Sequence, residues 1–553
     1  MVSDDFILDV DKIEKKVDKK IEKQIKKAQK QAIKEHVKEF EADVTEQIES
    51  TSFTDKEQPF QVIKKTTDLF GKGFHYVVNL EEKFTHDFIF GYLPEKIKKY
   101  IKVIIPFSLM LLVLNLPWDV APDIKKAFAL FICISLLWAL ESLSMIVTAL
   151  LIPVLAVMLG LIHGTNPFSS FSNPIIYLLL SGLIIAQSFR KHELDKMLAV
   201  KVLSMSKGKV KYLLLYTMII AAVLGMWMSN TATIALLIPV ILSISVKITN
   251  ETEKNYTVML LLGSGFASAI GGIATILGGN PNAITAAFLS NNRAFEFLDW
   301  SIIGFPVSII LFITAYFTFV NIFKIKKEKI KITELTKEAK KIKLTHQQKK
   351  ILLIFIPTIL IWLFGGEVVS FLNLPDDFYR TEVVGLTAAI LLFVFNILDW
   401  DDVRRIPWEI FLLVGGGLTL GQLLIQTGAA SYIATEMIRV MAWMPTPVII
   451  FIFVAMAMVL ANFVNNSSTT IILVPVVMQV AEFLDINVKL LAMTVAMATA
   501  VSPLTPIAMP AFSLIYGTGY VKRRDMIKTG FKVAIICGPI LAGVMSLINW
   551  FFF

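Results

Sequence analysis

Cysteine is almost absent from these 553 residues: the two present, Cys133 and Cys537, both sit inside apolar runs. That excludes a disulfide framework and a cysteine metal site, and both thiols are expected to be small buried hydrophobes. Histidine is scarce too, with six in the chain and none at metal-ligand spacing. There is no nucleophile elbow and no Walker loop, so an enzyme is not expected. Charge is the third shortage. Charged residues make up 18% and hydrophobic residues 55%, whereas a soluble chain is about a quarter charged. The opening Met1-Val2-Ser3-Asp4-Asp5 leads into charged sequence with no apolar stretch, so no signal peptide is expected.

What is present is a series of apolar runs of about 20 residues, enough to cross a hydrocarbon core of ~30 Å. The pattern predicts an all-α polytopic membrane protein. The formal charge of +9 is unevenly placed. Residues 1–100 hold 19 Lys+Arg and 20 Asp+Glu, which leaves 34 basic and 24 acidic residues in 101–553, a net of +10. The excess belongs to the membrane part, where basic loops mark the cytoplasmic side. No RNA or DNA motif accompanies it, so no nucleic-acid partner is expected. The reading places the chain in the plasma membrane, multi-pass, with its N-terminus cytoplasmic and its C-terminus outside.

Four parts are expected. Residues 1–95 form a charged extension, helical over 11–41, where Ile13, Val17, Ile21 and Ile25 keep one face. Residues 96–323 are a first membrane half. Residues 324–350 are a connector with eleven Lys against three Glu, suited to lie on anionic lipid. Residues 351–553 are a second membrane half. Trp118, Trp400, Trp408 and Trp443 fall at run ends, as interfacial anchors do.

The halves repeat. Residues 229–240 read Ser-Asn-Thr-Ala-Thr-Ile-Ala-Leu-Leu-Ile-Pro-Val, and residues 465–476 read Asn-Asn-Ser-Ser-Thr-Thr-Ile-Ile-Leu-Val-Pro-Val; Pro239 and Pro475 set a register of 236. Each polar stretch interrupts a run too long for one span, and each is followed by a Gly/Pro break, at 278–282 and 508–512. Lipid cannot satisfy broken backbone, so it must be buried in protein or line a cavity. Paired broken helices in two halves point to an inverted-repeat carrier. Half-helix N-termini offer N–H groups to an anion, and freed carbonyls and side-chain oxygens offer ligands to a small hard cation. The basic loops can all face the cytoplasm if 212–246 and 445–480 are re-entrant hairpins.

At Ser229-Asn230-Thr231, Ser268 to Thr275, the break at 278–282 and Tyr516-Gly517-Thr518-Gly519, the chain resembles the divalent-anion sodium symporter family, the sodium-coupled dicarboxylate and sulfate carriers. The resemblance covers residues 100–553. It implies about eleven transmembrane helices, two re-entrant hairpins, a dimerising scaffold and an elevator-type transport domain. Carried over by position, one Na⁺ would meet Ser229, Asn230 and the Gly278 carbonyl. A second would meet Asn466 and carbonyls near Val464 and Ala508. The substrate would touch Asn230, Thr231, Asn466 and Ser467, together with Gly279 and Met509, where the family carries hydroxyls. The expected function is Na⁺-coupled transport of a small anion, a C4 or C5 dicarboxylate, by alternating access, with Na⁺ in place of any cofactor and a homodimer in the bilayer. A Na⁺-independent exchanger, a sulfate or other oxyanion carrier, and a membrane-anchored interaction protein remain open at this point.

Overall fold

Polar and Gly/Pro interruptions cut the apolar runs into helices of unequal length. The computed structural model describes residues 95–552 except 163, 165, 246–250, 291–294, 326–332, 374 and 376–378. The chain divides into two units, Met1–Asp68 and Leu69–Phe553, and every described residue belongs to the second. The charged N-terminal helix expected over 11–41 lies outside the described residues.

The first half runs through α1 (Glu95–Asn115), α2 (Pro122–Ala139), α3 (Met145–Met158), α4 (Pro174–Lys191), α5 (Leu194–Ser204), α6 (Val210–Gly225), α7 (Asn230–Ser245), α8 (Glu251–Gly272), α9 (Asn280–Leu289) and α10 (Phe297–Phe323). A connector helix, α11 (Thr333–Lys341), packs on α5. The second half comprises α12 (His346–Phe371), α13 (Thr381–Val394), the single turn α14 (Trp400–Val403), α15 (Glu409–Gln426), α16 (Ala429–Met441), α17 (Thr446–Val464), α18 (Asn466–Phe483), α19 (Val488–Ala500), α20 (Pro510–Gly517) and α21 (Arg523–Phe552). The repeat read from the motifs is structural. The pairs α3/α13, α6/α17 and α7/α18 each begin 236 residues apart.

Local chemistry sets the helix starts. Asn173 Oδ1 accepts from the Ile175 N–H while Pro174 opens α4, and Thr345 and Gln348 cap α12 reciprocally. Proline is tolerated there because the first turn has no intrahelical acceptor for an N–H. Length then sorts the helices. Among the described residues five are long and apolar enough to cross a membrane: α10, α12, α15, α17 and α21. By contrast α6 and α7 have 16 residues each, about 24 Å, short of a core of ~30 Å.

Small residues bring the halves together. α3 packs on α15, and α13 packs on α4. A Cβ on Gly416 would lie 2.4 Å from the Ala149 carbonyl oxygen, and one on Gly385 would lie 2.2 Å from Ser181 Oγ. Such backbone proximity drives helix association in lipid, where apolar side chains gain little from one another. The two halves also exchange partners deeper in: α7 packs against α20, and α18 against α9. Both cysteines are buried. Trp400, Trp408 and Trp443 are exposed as interfacial anchors would be. Trp118 is not: it packs edge-on against Phe128 and Tyr432 at 5.3 and 5.4 Å, because the turn before α2 folds it onto α16 rather than outward.

The short helix α5, too short to span, carries a buried carboxylate. Burial pushes Asp195 up to about 6 from 3.8, against the Lys196 N–H and the nearby Arg190, which pull it down. A carboxyl that holds its proton more tightly in the folded chain weakens the fold as pH rises through that interval. At neutral pH the ionised group costs up to about 3 kcal/mol. Asp195→Asn is therefore expected to raise the thermal midpoint by about 2–6 °C near about pH 7.5. The gain should shrink as pH falls below about 6 and vanish only below about pH 3, where Asp195 is protonated in both states; near about pH 4 it should already be a small fraction of its neutral-pH size. Thermal unfolding of the detergent-purified protein at the two pH values checks this; an equal shift at both would refute it.

Candidate functional site

Each polar stretch supplies a side-chain cap to the helix that follows it. At the first, Ser229 Oγ accepts from the Ala232 N–H at 3.3 Å. At the second, Asn465 Oδ1 accepts from the Ser468 N–H at 3.0 Å. Ser229 and Asn465 thus each cap the helix that follows. Asn465 combines φ +68° with ψ 166°, a conformation that residues with a side chain rarely adopt and that stores backbone strain at the tip. Capping at this position leaves Asn230 and Asn466 as the first residues of α7 and α18.

Both asparagines line one small cleft, with Gly278 and Gly279 from the first break and Met509 from the second. Asn282, Pro281, Ala269, Gly272, Ile273, Ala496 and Ala500 complete its wall. Residues 236 apart in sequence are therefore neighbours in space. Asn230 Oδ1 accepts from Ser268 Oγ at 2.9 Å, and Asn230 Nδ2 faces Met509 Sδ at 3.7 Å, a weak acceptor. Asn466 is different: its Oδ1 is buried and accepts no hydrogen bond among the described residues. Thr233 and Thr469, also 236 apart, likewise bury hydroxyls without a partner there.

Four helix beginnings meet here. Asn230 and Asn466 start α7 and α18, while Gly279 and Met509 are the N-cap residues of α9 and α20. Their unpaired N–H groups and dipoles favour an anion. Two helix endings meet here as well: Gly272 ends α8, and Ala500 ends α19. Carbonyls at helix ends present oxygen to a cation, although that of Gly272 already accepts from Asn282 Nδ2 at 2.8 Å. Among the described residues no titratable side chain lines the cleft.

The broken backbone is held by residues that motif reading did not assign. In the first half, Asn282 Nδ2 donates to the Gly272 and Thr275 carbonyls, both at 2.8 Å. Thr275 Oγ1 bonds the Met226 carbonyl, and Trp300 Nε1 donates to the Ile273 carbonyl at 2.8 Å. In the second half the position matching Asn282 is Phe512, and Asn462 takes over. Asn462 Nδ2 donates to the Met458 and Ser502 carbonyls, and its Oδ1 accepts from the Leu504 N–H, each at 2.8 Å.

Of the residues named from sequence, Asn230, Gly278, Gly279, Asn466 and Met509 share the cleft wall. Ser229, Thr231, Ser467 and Ala508 each adjoin one of these in sequence but are not part of the wall, and Val464 ends α17 two residues before Asn466. The cleft holds about 20 Å³, room for one water-sized species. The arrangement is a closed one.

Comparison with known proteins identifies the family. Residues 135–501 match the CitMHS citrate transporter family. The chain belongs to that family, a branch of the divalent anion:Na⁺ symporter superfamily. The CitMHS match takes in both polar stretches and the first break, and the resemblance read from the motifs holds. An uncharacterized transporter of Haemophilus influenzae is 30% identical over 82% of this chain and 97% of its own length. One from Methanocaldococcus jannaschii is 33% identical over 76% and 93%. The sodium-dependent dicarboxylate transporter SdcS of Staphylococcus aureus is 25% identical over 77% and 85%. This CitMHS member is thus a multi-pass membrane transporter.

Proposed function

We propose that the protein is a secondary active carrier of a small anion, a C4 or C5 dicarboxylate, coupled to Na⁺ and working by alternating access. The observation that carries this reading is the convergence of Asn230 and Asn466 on one cleft that has four helix N-termini, helix-end carbonyls and, among the described residues, no titratable group. A dicarboxylate in such a neutral site needs countercharge, and co-bound cations supply it.

In this reading the substrate carboxylates take N–H and amide donors at Asn230, Thr231, Gly279, Asn466 and Ser467. Met509 contacts the carbon chain in place of a hydroxyl. One Na⁺ sits with Ser229, Asn230 and the Gly278 carbonyl, and another with Asn466 and the Val464 and Ala508 carbonyls. The unpartnered Asn466 Oδ1 is an acceptor that a cation would satisfy. The units α6–α7 and α17–α18 act as re-entrant hairpins. α6 and α7 are each too short to cross, and although α17 is long enough by itself, it packs against α18 and its tip ends in the cleft. A dicarboxylate exceeds the ~20 Å³ available, so the tips must part to admit it. We place the carrier in the plasma membrane as a homodimer, with one domain moving as an elevator.

Uptake into proteoliposomes under an inward Na⁺ gradient, across a panel of di- and tricarboxylates and sulfate, tests the reading. Succinate-sized substrates should accumulate only with Na⁺. Counterflow insensitive to Na⁺ would instead mark an exchanger, and failure of every anion under every gradient would refute carriage of this class.

A further inference from the structure

Behind the first polar tip lies a second, larger cavity that the cleft does not use. It holds about 160 Å³ between α4, the end of α6 and α12, and its wall is apolar throughout. Even the Trp362 indole N–H that borders it is spent elsewhere, on the Thr381 carbonyl at 2.9 Å. Water gains nothing in such a space, whereas an apolar cavity of ~150 Å³ takes up a group the size of benzene. Two wall residues, Val223 and Ile356, are 43% and 51% exposed. They sit on the outer faces of their helices beside exposed Leu353 and Leu360. In a membrane transporter that outer apolar surface meets lipid, so the mouth opens to the bilayer.

Charge identifies which lipid group stands above the mouth. Lys349, Leu352 and Ile356 follow one face of α12 at helical spacing, and Lys349 is exposed with no ion pair among the described residues. Arg190 follows the wall residue Phe189 on α4, but it lies near the buried Asp195 carboxyl, which takes up part of its charge. The Phe189 and Phe355 rings meet at 4.9 Å, which puts both cationic residues at the same end of the cavity. An apolar slot beneath exposed Lys349, with Arg190 only partly balanced by Asp195, complements an anionic headgroup with its chain below.

We infer that the cavity is a binding site for one acyl chain of an anionic phospholipid. The site bears on the first tip. Met228 and Leu277 belong to its wall, and they immediately precede Ser229 and Gly278. An inserted chain packs behind both sides of the first break and holds the tip in its present position; withdrawal of the chain lets the tip move. This role is independent of which anion the cleft accepts.

The test is photolabelling of the full chain in proteoliposomes with a phosphatidylglycerol that carries a diazirine at the end of one acyl chain. The label is expected on residues 223–228, on Leu277 and on Phe355. Ala186→Phe, which fills the cavity, should reduce that labelling by at least about fivefold while the outward-facing Leu360 and Phe364 label as before. If Ala186→Phe does not fold, Val223→Trp at the exposed mouth gives the same test without touching the core. Labelling that neither variant reduces, or that is spread evenly over the outer surface, would overturn the inference. So would labelling by a free diazirine fatty acid with none from the phospholipid. The readout needs no transport, so its failure is separable from failure of the carrier reading.

Discussion

Asn466→Ala is expected to reduce Na⁺-driven uptake by roughly 100-fold and yet leave the purified protein as stable as before, or more so. The two effects separate because Asn466 Oδ1 is buried with no hydrogen-bond partner among the described residues. An unsatisfied buried acceptor costs about 1–3 kcal/mol, and removing it relieves that cost. If the same oxygen serves ligand in the loaded state, its removal forfeits a comparable or larger sum on binding, and each 1.4 kcal/mol is tenfold. Asn230→Ala should lose transport similarly but without the gain in stability, since it strips Ser268 Oγ of its acceptor. Thermal shifts with and without Na⁺ and dicarboxylate read both quantities at once, because ligand that binds only the folded state raises the midpoint. Ligand-linked stabilisation that persists in both variants would remove these asparagines from the site.

Gly278→Ala should be the more destructive change. Its Cβ would sit 2.3 Å from the Gly272 carbonyl oxygen, 2.5 Å from Gly272 Cα and 2.8 Å from the Gly225 carbonyl oxygen. All three atoms are backbone, so no side chain can swing away, and overpacking of this kind costs about 1–3 kcal/mol or more. Uptake should fall below detection and the thermal midpoint should drop. The neighbouring position is the control. A Cβ on Gly279 meets only Pro281 Cδ at 3.7 Å and Asn282 Nδ2 at 3.9 Å, ordinary contacts, so Gly279→Ala should keep its stability within about 0.5 kcal/mol. Equal loss of stability in the two variants would show that the close backbone approach at Gly278 is not what the break depends on.

Much of this site was legible in the sequence. Ser229-Asn230-Thr231 and Asn465-Asn466-Ser467 announce themselves because polar residues inside an apolar run need a reason, and the register of 236 supplies one. The Gly/Pro breaks were legible on the same ground. The residues that hold the breaks open were not. Asn282 belongs to the first break motif, but its task depends on where the Gly272 and Thr275 carbonyls come to rest, which spacing does not reveal. Asn462 belongs to no motif. It sits three residues before its tip, doing on one side of the repeat what Asn282 does on the other, where Phe512 occupies the matching position. Trp400, Trp408 and Trp443 are exposed as the belt reading expects, and the reading failed at Trp118, where the following turn decides the direction.

The exchange of partners between halves has a consequence for how the chain is made. α7 needs α20, which begins 280 residues later, so the first tip helix is synthesised and inserted long before the surface that buries it exists. Until translation reaches Pro510, the amide of Asn230 has neither Met509 nor the second tip beside it. Biogenesis therefore passes through a stage in which a polar helix start is held by the insertion machinery or by water, and closure of the cleft comes last. Neither half is a module that can be finished alone, although each carries the same plan.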